Sequence, residues 1–426
     1  MSKSDGQRDP RLSGDASGPS ADGERLSASG GEAGAGRTPP KRPAKARKRR
    51  RRKRRGPVFA RDATTGARAA PEASTPIPAS AAALEPEGPF YAALDLGTNN
   101  CRLLIATPKE RGFRVVDAFS RIVRLGEGIG ANGRISDAAM VRAIEALQVC
   151  KAKLAERKLA RVRMIATEAC RAAANGEEFI ARVFAETGLA LEIVSGETEA
   201  RLAVAGCASL VDTTARGVIL FDIGGGSSEL VWIDLTANQL GRRRMADRIR
   251  AWMSLPVGVV NVSERYGGRH LTRSQFEQMV DEVSGMVAAF PEGAALDAAV
   301  VAGGVHMLGT SGTVTTLAGV HLKLPRYDRR RVDGVWLEGA VVGSLISDLA
   351  DMNYEQRVAN PCIGRDRADL VLAGCAILEA IRRRWPVERL RVADRGLREG
   401  LLVELMAQDG VWRLRSGPRA GEAGGG

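Results

Sequence analysis

The chain has 426 residues, 44% of them hydrophobic, which is enough for two or three domains with real cores and ordinary for a globular protein. Such a composition excludes fibrous and collagen-like classes, and no window approaches the roughly 18 apolar residues of a membrane span; the best stretch, LAVAGCASLV at 202–211, is far too short. The net charge of +13 is concentrated at one end, since residues 1–88 hold 19 Lys and Arg against 10 Asp and Glu.

Those first 88 residues are also rich in Gly, Pro, Ala and Ser. They cannot bury enough apolar surface to offset the entropy of ordering, so a disordered basic arm is expected. Within it, KRPAKARKRRRRKRR at 41–55 has 12 cationic residues in 15. Three roles stay open for this run: a solubilising tail, a salt-sensitive grip on RNA or another polyanion, or a targeting signal. MSKSDGQRDP lacks the apolar stretch of a secretory leader, so a cytoplasmic protein is expected.

From residue 89, FYAALDLGTNNCRLLIATP reads as strand, polar glycine turn and strand, and FRVVDAFSRIVRLGEG continues the meander. ISDAAMVRAIEALQVCKAKLAERK carries apolar residues at helical spacing, with Ser136 as N-cap. VRMIAT predicts a strand, EEFIARVFAETG a helix ended by Gly188, and LALEIV at 189–194 another strand. The plan then restarts: GVILFDIGGGSSELVWIDL is again strand, glycine turn, strand, followed by the helix SQFEQMVDEVSGMVAAF and, after DAAVVAGG, by HMLGTSGTVTTLAGV. Leu94, Asp95, Leu96 and Gly97 match Phe221, Asp222, Ile223 and Gly224, 127 residues later. A duplicated α/β lobe with a cleft between the copies would produce this repeat. RSGPRAGEAGGG at the other end reads as a frayed tail. The six cysteines show no CxxC pair, so buried reduced thiols are expected.

An Asp ending a buried strand is costly unless its charge meets a cation or a partner. After Asp222, Gly224, Gly225 and Gly226 leave room for close approach and let backbone N–H groups face an anion, while Ser227 and Ser228 add hydroxyl donors. Asp95 with Gly97, Thr98, Asn99 and Asn100 repeats the device. A third glycine loop runs from Gly309 to Gly312, followed by Thr313. Together these suit a polyphosphate and a divalent cation held between two facing loops.

DLGTNN, DIGGGSSEL, SGETEAR at 195–201, GTSGTVTTLA at 309–318, RADLVLAGCAILEA and DRGLREGLL follow one another in the order seen in the exopolyphosphatase and guanosine pentaphosphate phosphatase family, which the chain resembles over residues 89–405. That family lies within the actin-like and hexokinase-like phosphotransferases. The resemblance implies two actin-like, ribonuclease H-like lobes, at 89–198 and 199–392, with a helix at 393–412 returning to the first and a disordered tail at 413–426. It implies hydrolysis of the terminal phosphoryl group of polyphosphate, or of the 5′ γ-phosphate of guanosine pentaphosphate, by water. Glu199 matches the family's general base, with Glu197 as its decoy, and Arg171 the arginine facing the phosphates. Asp95, Asp222 and Glu229 would organise Mg2+, or Mn2+, partly through water. The serine positions of the family's first loop are Thr98 and Asn100 here, which keep hydrogen-bond donors but leave substrate preference open. His270, His306 and His321 are the only histidines and none precedes an Asp, so the short two-domain form is expected, without the helical His-Asp domain of long members. Two other classes stay open: a sugar or acetate kinase, in whose pattern Arg102 would follow the DxGT loop, and a non-enzymatic sensor of guanosine tetra- or pentaphosphate with an RNA-binding arm. A homodimer is the expected assembly.

Overall fold

A computed structural model describes residues 88–236 and 245–412. The basic run at 41–55 and the tail at 413–426 lie outside the described residues, as does the arm apart from its last residue.

The first sheet is built from β1 (Phe90–Leu96), β2 (Asn100–Pro108), β3 (Phe113–Ile122), β4 (Leu159–Ala166) and β5 (Glu192–Ile193), in the order β3-β2-β1-β4-β5. β1 to β3 form an antiparallel meander, and β4 pairs parallel to β1. The second sheet has β6 (Gly217–Ile223), β7 (Ser228–Asp234), β8 (Ile249–Leu255), β9 (Val305–Thr310), β10 (Trp336–Glu338) and β11 (Arg389–Ala393), in the order β10-β11-β9-β6-β7-β8. Read from β8 inwards it repeats the first plan: a meander, then two strands parallel to its first member, with β10 as an added antiparallel edge. Both β1 and β6 are almost wholly buried, which is why each reads as a continuous apolar run broken only by its terminal Asp.

Helices cover these sheets. α1 (Asp137–Ala155) starts at Ser136, whose hydroxyl accepts from the Ala139 N–H. α2 (Glu168–Ala172) follows β4, and α3 (Gly176–Thr187) ends at Gly188 in the left-handed region, φ 72°. α4 (Gly196–Cys207) follows β5; α5 (Val259–Tyr266) and α6 (Arg273–Val287) follow β8; α7 (Gly312–His321) follows β9. α8 (Val371–Arg384) is apolar nearly all round because it lies in the core of the second sheet, and α9 (Leu397–Gln408) follows β11.

LALEIV was expected to be a strand over 189–194, yet only Glu192 and Ile193 join the ladder. Leu189 and Leu191 are buried by packing on the first core and not by strand pairing. The expected lobe boundary at 198/199 falls inside α4, a continuous helix. Leu202 of α4 packs with Tyr91, Ala93 and Leu104 beside the first sheet, whereas Ala200, Ala203, Val204 and Cys207 pack with Val218, Leu220 and Leu308 of the second. α9 sends Leu401, Leu402, Leu405 and Met406 into that same cluster on the first sheet. The two helices cross where a Cβ on Gly206 would lie 2.0 Å from the Gly396 oxygen and one on Gly400 2.1 Å from the Leu202 oxygen. Backbone meets backbone there, and only glycine fits.

All six cysteines are buried and unbridged. Among the described residues no helix is long and apolar enough to cross a membrane.

Candidate active site

The duplicated hairpins point their turns into one cleft of about 330 Å³ between the two sheets. Each turn closes in the same way: Gly97 N–H donates to the Asn100 carbonyl at 2.9 Å, and Gly224 N–H to the Ser227 carbonyl at 2.9 Å. α5 abuts the second turn so tightly that a Cβ on Gly258 would lie 2.4 Å from the Gly225 carbonyl carbon. Its Val259 and Val260 N–H groups bond the Gly224 and Gly225 carbonyls, so the turn's oxygens are engaged and its shape is fixed.

The glycines have a further reason to be glycines. A Cβ on Gly225 would meet Thr98 Cβ at 2.9 Å, and one on Gly226 would meet Thr98 Oγ1 at 2.8 Å and Glu168 Cγ at 2.9 Å. The turns therefore touch across the cleft, and the absent side chains admit the opposite loop, a packing role beside the anion-facing one expected from sequence. At the rim, Arg124 bonds Asp369 at 2.9 Å and the Gly128 N–H donates to Glu264 at 3.0 Å, which joins the two sides again.

Asp95, buried, and Asp222, half-buried, each stand at the end of a central strand and line the cleft. Burial raises the Asp95 carboxyl and pushes Asp222 up to about 6, against the opposing pull of Arg102 on both. Asp95 Oδ1 has no hydrogen-bond partner, nor has Asn99 Oδ1; these are the only two orphaned buried acceptors among the described residues, and both residues line the cleft. Glu229, the cross-strand neighbour of Asp222, accepts from the Ser227 hydroxyl at 2.8 Å and the Ser254 hydroxyl at 3.0 Å. Burial, then Asp222, push it to about 7. Ser228 bonds away from the cleft, to the Val257 carbonyl.

Glu199 lies in the first turn of α4, whose N-cap Ser195 accepts from the Thr198 N–H. It is 5% exposed and lines the cleft, whereas Glu197 is exposed. Burial and then the neighbouring Glu229 push its carboxyl up to about 9, while Arg171 pulls the other way. Arg171 donates to Glu199 at 2.6 Å, Glu168 at 2.5 Å and the Val194 carbonyl at 2.5 Å. In this arrangement it braces the Glu199 carboxylate.

A twin of this couple stands on the other side. Arg329 donates to Glu399 at 2.7 Å and to the Asp394 carbonyl, as Arg171 does to Glu199 and Val194. Glu399 is 4% exposed and caps α9 by accepting from the Gly396 N–H at 2.9 Å. Glu399 was not singled out from sequence, although it lies in the quoted DRGLREGLL. The third glycine loop also reaches the cleft. Ser311, at φ 81°, turns the chain into α7 and bonds the Ile223 carbonyl at 2.6 Å, which aims the helix N-terminus, with Gly312 and Thr313, at the space between the hairpins.

No three acidic, His or Cys side chains converge as a ready-made metal cage among the described residues. The orphaned Asp95 oxygen and the half-buried Asp222, which has no hydrogen bond, nonetheless fit a hard cation completed by water and phosphate oxygens. Glycine turns, a helix end and buried carboxylates facing one cleft, in a duplicated two-sheet frame, define a phosphate-handling protein of the actin-like class. A model of the Ppx/GppA phosphatase family matches residues 104–409, and the chain belongs to that family. It is 28% identical to exopolyphosphatase 2 of Mycobacterium tuberculosis over 339 residues, which cover 74% of this chain and 98% of that protein. It is 27% identical to the guanosine-5′-triphosphate,3′-diphosphate pyrophosphatase of Photobacterium profundum over 335 residues, 76% of this chain but 60% of that protein. Among solved structures, the Aquifex aeolicus Ppx/GppA family member is 29% identical at a TM-score of 0.59, covering 75% of this chain and 98% of its own. An exopolyphosphatase-like protein is 25% identical at a TM-score of 0.66, covering 75% and 99%.

Proposed function

We propose that this protein hydrolyses the terminal phosphoryl group of inorganic polyphosphate, or the 5′ γ-phosphate of guanosine pentaphosphate, by in-line attack of one water. The observation that carries the reading is the Glu199 carboxylate, buried, braced by Arg171, and facing a cleft in which Asp95 keeps an unpartnered oxygen. Glu199 accepts the proton of the attacking water. Its raised proton affinity suits a base, and positive charge entering the cleft favours its ionised form. The Gly97–Asn100 and Gly224–Ser227 turns and the α7 end at Gly312 and Thr313 orient the phosphates. Little covalent work remains, since phosphoryl transfer is mainly positioning and charge neutralisation. Asp95 and Asp222 would hold Mg2+ or Mn2+, with Glu229 supporting them, and the ion when bound neutralises phosphoryl oxygens.

Phosphate release from long-chain polyphosphate and from guanosine pentaphosphate, with magnesium, tests this. Wild type should release phosphate from at least one of them and Glu199→Gln should be slower by about 10²- to 10⁴-fold while still binding; equal rates, or no release by folded wild type, overturn it. For the run at 41–55 we propose a hold on long polyanions near the cleft. Removing residues 1–56 should then slow long-chain turnover at low salt and leave short chains unaffected.

A further inference from the structure

Thr98 stands at a serine position of the first loop, so its extra methyl, Cγ2, is this chain's own. Glycines surround that methyl on every side the structure describes. A Cβ would lie 2.2 Å from it if placed on Gly126, 3.2 Å on Gly225 and 3.3 Å on Gly226. Gly126 lies in the loop after β3, behind the first turn, whereas Gly225 and Gly226 belong to the second turn. The methyl therefore fills a notch with one wall on each side of the cleft. Thr98 is 6% exposed, and its hydroxyl makes no hydrogen bond among the described residues.

The walls of the notch are stiff. Behind the first turn, the Gly126 N–H donates to the Thr98 carbonyl at 2.9 Å, and the Val123 and Arg124 N–H groups donate to the Asn99 carbonyl at 2.9 and 3.0 Å. Arg142 in turn holds the Val123 and Arg124 carbonyls. The second turn is backed by α5 through Val259 and Val260. Loops braced in this way cannot collapse into a void, so deleting a methyl between them forfeits both its transfer and its packing energy. The other bridges between the two sides, at the rim, are polar and partly exposed, as Arg124 and Asp369 show, and such pairs are weak in water. Asp95 and Asp222 repel each other across the same gap when ionised. An apolar contact at the centre needs neither a partner charge nor a bound ion to work against that repulsion.

We propose that the Thr98 methyl is the spacer that seats the two hairpin turns against each other, holding the cleft closed before substrate arrives and making Thr98 a positioning residue for the reaction. The catalytic part of this rests on the phosphohydrolase reading above; the seating of the turns does not. The β-branched side chain suits the task, because its restricted χ1 keeps the methyl in the notch. A serine there would leave the notch empty.

The test follows the separation of the two sheets in the full chain without substrate or metal. Glu145→Cys on α1 and Gln278→Cys on α6 are exposed and take nitroxide labels, while the native thiols are buried; pulsed dipolar spectroscopy gives the distance between them. Thr98→Ser removes the methyl and keeps the hydroxyl, and Thr98→Val does the reverse. Thr98→Ser should shift the ratio of separated to seated turns about 4- to 6-fold toward separation, Thr98→Gly should shift it further, and Thr98→Val should keep the distances of the labelled parent. Distances unchanged in both Thr98→Ser and Thr98→Gly overturn the spacer, and so does Thr98→Val as separated as Thr98→Ser, since the hydroxyl would then hold the turns. Gly126→Ala is a steric check: its Cβ would crowd the Thr98 methyl, so it should lower the melting temperature of the parent and lower it less beside Thr98→Ser; equal losses mean that the methyl is not in the notch. With polyphosphate and magnesium, kcat/KM of Thr98→Ser should fall by the same factor of about 4 to 6. Separated turns with an unchanged kcat/KM would remove Thr98 from the positioning role. If wild type releases no phosphate from any substrate while Thr98→Ser still separates the turns, the hydrolase reading fails and the spacer stands.

Discussion

Replacing Arg171 by Met removes the group that ties Glu199, Glu168 and the Val194 carbonyl together. The Arg171 side chain is 27% exposed against 6% for that of Glu199, so the loss falls mainly on the buried carboxylate. A hydrogen bond to a charged group contributes ~1.5–3 kcal/mol, and partial exposure argues for the lower end. That is about one pH unit in the ionisation of Glu199. The direction follows from the neighbours: burial, Glu229 and Asp95 raise its proton affinity and Arg171 alone among those named lowers it. The acid limb of kcat/KM, which reports the free enzyme, should therefore move upward by about one unit. A carboxylate released from its brace is also misplaced, which can cost a further ~10²-fold in kcat. Phosphate release from polyphosphate between about pH 6 and pH 10, at fixed magnesium, reads both effects. An unmoved limb with a raised KM and an intact kcat would refute the reasoning and return Arg171 to direct phosphate contact.

Gly206→Val places a side chain where a Cβ would already lie 2.0 Å from the Gly396 oxygen; urea unfolding should show a loss of ~3 kcal/mol or more, and a loss under ~1 kcal/mol would mean that the crossing gives way easily. Without divalent cation, Asp222 and Glu229 titrate at about 6 and about 7 in the folded chain, above the usual 3.8 and 4.5. Their protons stabilise the fold below the usual values and this stability is lost as pH rises through about 7, so the melting temperature should fall by several degrees from about pH 5 to pH 8. Asp222→Asn with Glu229→Gln should flatten that fall, magnesium should stabilise wild type more at the higher pH, and a profile identical in the double variant would count against both. Arg124→Met and Asp369→Asn each open the rim bridge, whose side chains are 30% and 16% exposed; a double-mutant cycle should give a coupling of ~0.5–1 kcal/mol, and KM should rise with kcat kept. A coupling near zero would make the bridge incidental.

The hairpin turns were legible in the sequence because their chemistry is local: a strand-ending Asp, glycines and hydroxyls within six residues, occurring twice. Ser136 and Gly188 were legible for the same reason, each acting on a helix end beside it. LALEIV misled because an apolar run marks burial, and Leu189 and Leu191 are buried by a neighbouring helix layer without pairing. Gly225 was read as space for an anion, whereas Thr98, distant in sequence, fills much of that space. The Arg–Glu couples span 28 and 70 residues, and no local pattern encodes either.

The exchange of α4 and α9 has a consequence for how such a chain could be divided. Each follows the last parallel strand of its own repeat, and each covers apolar surface belonging to the other repeat. A chain severed in the turn between Val211 and Gly217 would leave α4 offering Ala203 and Val204 to water on one fragment, and α9 offering Leu401 and Leu405 on the other. Neither fragment would hold a closed interior by itself, but the pair would complement each other. A single repeat standing alone would have to find the same cover from a second copy of itself.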